Sequence, residues 1–92
     1  MDFIRGSVVR ARAGRDKGGF FVVLEAGRHF AFICDGGRRS LRHPKKKNLL
    51  HLTLTKSVLD EGSMENDRAI RKALSSFAPA GAEDRVPLEE GS

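Results

Sequence analysis

Cysteine occurs once in these 92 residues, and tryptophan and tyrosine do not occur at all. A single thiol, Cys34, excludes an intramolecular disulfide and any Cys-rich metal site, a usage that suits a reducing compartment. His29, His43 and His51 have no second cysteine beside them and match no zinc spacing, so no metal and no cofactor is expected. No apolar run approaches the roughly 20 residues of a membrane span, so no membrane association is expected. The opening Met-Asp-Phe-Ile-Arg has neither a basic n-region nor an apolar h-region, so a cytoplasmic location is expected. Convergent chemistry is also missing. Asp16, Glu25 and Asp35 stand apart from any base or nucleophile, and Ser7, Ser40 and the histidines form no triad or phosphate-binding signature. A chain this short builds one modest core, and the expectation is a non-catalytic protein.

Charge is present in excess and unevenly placed. Residues 1–56 carry 13 Lys/Arg against 4 Asp/Glu, a balance of +9, and residues 57–92 carry 4 against 8, a balance of −4, which together return the net +5. A basic half of this kind is the footprint of a phosphate-binding surface; an acidic remainder is repelled by the same ligand and belongs away from it.

Apolar patterning divides the chain at the same place. Val9, Ala11 and Ala13 alternate with Val8, Arg10 and Arg12, so a first strand sends both arginines to one side. Residues 20–24 and 29–34 are apolar on both faces and rich in strand formers. Residues 25–28 read as the hairpin between them, and Asp35-Gly36-Gly37 as the turn that follows. Arg38 to Arg42 read as a short basic strand, Pro44 as a break, and residues 50–55 as an alternating closing strand. Five short strands within residues 1–55 predict a mainly β unit, a small five-stranded barrel. After a linker at 56–62, a helix over 63–78 is expected, with Ser63 as N-cap, Ile70, Ala73, Leu74 and Phe77 on one face, and Pro79 as the stop. So short a helix is not stable alone in water, and the second apolar face of the strands is what it has to cover. Residues 79–92 read as a disordered acidic tail.

Two basic clusters punctuate the strands. Gly14-Arg15-Asp16-Lys17-Gly18-Gly19 sets two required glycines, Gly14 and Gly18, and three charges in a tight turn, where positive φ angles let backbone amides approach a polyanion beside Arg15 and Lys17. Asp16 is expected to accept backbone N–H bonds within the turn, or to hold Arg15 or Arg12. The second cluster is Arg38, Arg39, Arg42, Lys45, Lys46 and Lys47, in which guanidinium forks and mobile ammonium groups suit a phosphate backbone; the lysines are read as part of a loop. Phe20, Phe21, Phe30 and Phe32 are assigned to the core and Phe3 to the surface. Without exposed aromatics, readout of shape and phosphates in folded RNA is favoured over stacking on unpaired bases.

Gly6-Ser7-Val8-Val9, Gly14-Arg15-Asp16-Lys17-Gly18 and the apolar strand at 20–24 together resemble the KOW motif of ribosomal proteins and transcription elongation factors. The succession Ile33-Cys34-Asp35-Gly36, Arg38-Arg39, Lys45-Lys46-Lys47-Asn48 and His51-Leu52 is similar to a KOW-type large-subunit ribosomal protein of the archaeal and eukaryotic lineage and its short bacterial relatives. The resemblance implies an SH3-like barrel that binds structured RNA, usually ribosomal RNA; ribosomal proteins or translation factors are expected as further partners, and a monomer is expected. Arg10, Arg12, Gly14, Arg15, Lys17, Gly18, Arg38, Arg39, Arg42, Lys45, Lys46 and Lys47 are the expected RNA-binding residues. The alternative is a protein-interaction module of the same fold, docking on a transcription or translation complex through whatever apolar strand face the helix leaves open.

Overall fold

The structure, a computed structural model, describes residues 2–77. The last residue of the expected helix, its stop at Pro79 and the tail 79–92 lie outside the described residues. Five antiparallel strands, β1 (Ser7–Ala11), β2 (Phe20–Ala26), β3 (Phe30–Cys34), β4 (Lys45–Asn48) and β5 (Leu52–Val58), form one sheet in the order β4-β3-β2-β1-β5. The fold is mainly β, as expected. The sheet is open, with β4 and β5 as its two edges, in place of a closed barrel. Between them lies only a 3-10 turn, Leu49–His51. Its N–H and C=O groups go elsewhere: Leu49 N donates to the His29 carbonyl (2.9 Å), and the His51 carbonyl accepts from Arg12 N (2.7 Å).

Strand alternation builds two apolar layers. Val9, Ala11, Phe21, Val23, Ala31, Ile33 and Leu52 fill one face. Val8, Val22 and Cys34 point to the other, where Met64, Ile70 and Leu74 cover them. The helix therefore lies on the second face of the central strands, as its stripe requires. Removing an aliphatic side chain from water contributes about 2 kcal/mol, enough for a few such contacts to hold an element too short to be helical alone.

That helix, α1 (Asp67–Leu74), is shorter and later than the apolar period predicts. Asn66 is its N-cap, its side chain accepting from Ala69 N at 2.8 Å, and Ser63 sits instead in a 3-10 turn, Glu61–Met64, capped by Asp60. The expected linker is likewise mostly structured, since β5 runs through residue 58 before this turn. Arg5 fastens the turn to the sheet: it donates to both Glu61 carboxylate oxygens (2.8 and 3.2 Å) and to the Leu24 carbonyl (3.1 Å). The first turn of α1 rests on Gly36, whose φ is +79° and where a Cβ would collide with the Asp67 carbonyl. Asp67 also accepts from Leu41 N at 2.8 Å, so α1 and the 35–44 loop are set as a unit.

Cys34 is fully buried, and burial, followed by the nearby carboxylates of Asp67 and Asp35, pushes its thiol up to about 11. The folded protein is expected not to react with a disulfide reagent at about pH 8, and to react at once in urea. The unfolded thiol loses its proton first as pH rises, so this group's contribution to stability falls from about pH 9 to about pH 11. Rapid labelling of the folded chain would contradict the buried placement.

Candidate functional site

The turn at residues 14–19 joins β1 to β2 and is closed by its own backbone. Gly18 N donates to the Ala11 carbonyl (2.8 Å), Ala11 N to the Gly19 carbonyl (2.9 Å) and Gly19 N to the Asp16 carbonyl (2.9 Å). Gly14 and Gly18 adopt φ of +80° and +88°, the left-handed region that the sequence assigns to them. A Cβ on Gly18 would meet open space, so its backbone is accessible from outside.

Asp16 does not pair with Arg15 or Arg12. Its side chain is 6% exposed and turned inward, with Oδ2 lying 3.2 Å from Arg39 Nη2 and 3.9 Å from Lys47 Nζ. Lys47 Nζ also donates to the Ala13 carbonyl at 2.8 Å. One carboxylate thus ties the turn to the 35–44 loop and to β4, and the two basic clusters meet there. Consequently Arg39 and Lys47, both expected to bind RNA, are held by the protein itself, Lys47 with a side chain only 9% exposed. Gly14 belongs to this knot, since a Cβ there would lie 3.0 Å from Lys47 Nζ.

The lysine run is a strand and not a loop. Lys45, Lys46 and Lys47 pair with Ile33, Phe32 and Ala31 on the edge of the sheet, where lysines also discourage edge-to-edge association. Alternation explains Lys47: it shares the face of Ala31 and Ile33 and must point inward. The Arg38–Arg42 stretch is in turn not a strand. Asp35 Oδ1 accepts from Gly37 N (2.9 Å) and Arg39 N (3.1 Å), and the Arg39 carbonyl accepts from Asp35 N (2.8 Å), so the segment closes on itself. Arg38 and Arg42 are exposed along it.

With Asp16 withdrawn, Lys17 of the turn converges with Arg10 and Arg12. Arg10, Ala11, Arg12, Lys17, Gly18 and Thr53 line a groove of about 520 Å³, and no carboxylate is among these lining residues. Arg10 pairs with Phe20 on β2 and Thr53 on β5, and its guanidinium carbon lies 5.9 Å from the centroid of the Phe20 ring, which in turn packs on Phe77 at 5.7 Å. An aromatic beneath Arg10 favours one orientation of the fork. Arg15 is exposed on the same turn. Thr53 is the groove residue that the charge pattern could not reveal; the alternation of the closing strand is the signal that finds it.

Two phenylalanines are not where the sequence puts them. Phe30 and Phe32 are 42% and 38% exposed, because Ala31 and Ile33 take the inward positions of β3 and α1 reaches only as far as Cys34. Phe3, expected outside, packs against the inner core. His51 sits in the 3-10 turn and not on a strand face. Among the described residues no group of His, Cys, Asp and Glu is arranged to hold a metal ion, and no helix is long and apolar enough to cross a membrane. Set against models of known families and against curated proteins, the chain matches none.

Proposed function

We propose that this chain is a non-catalytic, cytoplasmic RNA-binding module of KOW type, gripping the phosphate backbone of structured RNA, ribosomal RNA foremost. The observation that carries this reading is the separation of charges around the turn. The one acid of the Gly14 to Gly19 segment is buried among Arg39 and Lys47, while Arg10, Arg12 and Lys17 share a groove with the exposed Gly18. Cations converging on one groove complement phosphate oxygens and carry no base code, so shape and backbone decide the affinity. Arg38 and Arg42 are exposed on the 35–44 loop, which the Asp16–Arg39 pair ties to the same turn. The strand order and the 3-10 turn between β4 and β5 are also compatible with the SH3-like arrangement that the KOW resemblance implies. A protein-docking role relies on an open apolar face of the central strands; α1 covers Val22 and Cys34 there and leaves Phe30 and Phe32 of β3 exposed.

The test is the salt dependence of binding to a folded RNA. With about four phosphates neutralised, log Kd is expected to change with log salt with a slope of about 3 to 4. A slope near zero, or no binding at low salt, would overturn the proposal.

A further inference from the structure

We infer that Phe30, Phe32 and Lys46 form a second nucleic-acid contact, a stacking platform for unpaired bases at the end of the sheet opposite the phosphate-binding groove, since Phe32 pairs with Glu25 at one end of β2 and the groove's Arg10 with Phe20 at the other. The inference rests on the RNA reading and adds the class of RNA: a folded element carrying a single-stranded segment. Phe30 and Phe32 are two residues apart on β3, so their side chains leave the same face of the sheet about 7 Å apart. That spacing keeps the two rings from stacking tightly on each other and offers a flat surface to each of two splayed bases. Neither ring is covered by α1, and both are more than a third exposed.

The surroundings select the occupant. Lys46 lies across from Phe32 on β4, and its Nζ sits 4.4 Å from the centroid of the Phe30 ring. A cation already held over an aromatic face moves readily to a phosphate when a base takes its place on the ring. Arg28, exposed in the hairpin just before β3, adds a second cation at the near end of the platform. Across the sheet, a bulge in β2 around Leu24 shifts the register so that Phe32 faces Glu25, a hydrogen-bond acceptor suited to an exocyclic base amine. Rings, cations and one acceptor in this order suit a polyanion with an aromatic base on every unit better than a carboxylate-only peptide such as polyglutamate, whose side chains carry no aromatic ring.

The chain has no tryptophan, so F32W introduces a single reporter of stacking. Titrated into the full-length F32W protein, oligouridylate or oligoadenylate is expected to quench its fluorescence, and polyglutamate of equal charge is not. In the otherwise native chain, F30L/F32L keeps apolar bulk while removing both π faces. It is expected to bind a hairpin RNA with an unpaired arm about tenfold more weakly than the native protein, and a blunt hairpin equally well. Equal affinity of the native chain and F30L/F32L for the armed hairpin, with native binding retained, would overturn the platform and leave the groove standing. Failure of the native chain to bind either RNA would remove the RNA reading itself, and quenching by polyglutamate would reassign the patch to an acidic protein partner.

Discussion

Reversing the groove with R10E/R12E/K17E is expected to weaken binding to a blunt structured RNA about a thousandfold at low salt, with little change in the urea midpoint. All three side chains are exposed, so the substitutions cost little in packing beyond the loss of the Arg10–Phe20 contact. Each replaces an attraction to phosphate with a repulsion, and together they move the net charge from +5 to −1. Total charge alone would produce some loss, which sets the control. R68E/K72E changes the sign of two exposed cations on α1, and in a diffuse electrostatic mechanism it should weaken binding in proportion. If the groove is the contact, the α1 variant loses no more than a few fold, since neither Arg68 nor Lys72 lines it and salt screens exposed charges that make no direct phosphate contact. Comparable losses per reversed charge in the two variants would sink the groove as the binding site.

Much of this arrangement is legible in the amino-acid sequence. The apolar character of residues 20–24 and 29–34 on both faces requires a covering layer, and the stripe of Ile70 and Leu74 supplies it. The glycines at 14 and 18 announce left-handed positions. The departures have identifiable causes. Local charge and spacing favour a strand over Arg38 to Arg42, but Asp35 captures two N–H groups of that segment and no ladder is left to form. The lysine run resembles a solvated loop because a lysine facing a core is costly; Lys47 is tolerated there through the Ala13 carbonyl and Asp16, partners distant in sequence that no local pattern reveals. Hydrophobicity weighed without parity puts Phe30 and Phe32 in the core. Once Ala31 and Ile33 face inward, their neighbours must face outward, and only the end of the strand at Cys34 falls beneath α1.

Asp16→Ala offers the sharpest contrast between charge and architecture. If Asp16 were only an acid among cations, removing it would raise the local positive potential and tighten RNA binding. Its position argues the opposite. Its contact with Arg39 Nη2 is the one side-chain hydrogen bond that guanidinium makes among the described residues, and Arg39 Nε is buried with no partner. Lys47, only 9% exposed at its side chain, would keep the Ala13 carbonyl as its sole hydrogen-bond partner and lose its counter-charge. Stranding two largely buried cations is expected to lower stability by about 3 kcal/mol, read as a shift of the urea midpoint at constant slope. The turn that carries Arg15 and Lys17 loses its tether to the 35–44 loop and its ion pair to β4 at the same time, so RNA affinity is expected to fall although the net charge rises by one. Lys47→Met removes one of the stranded cations, and the double variant D16A/K47M should recover part of the loss, a coupling of about 1 to 2 kcal/mol. Unchanged stability together with tighter RNA binding in D16A would show that Asp16 is a surface acid and not the junction of the two basic clusters.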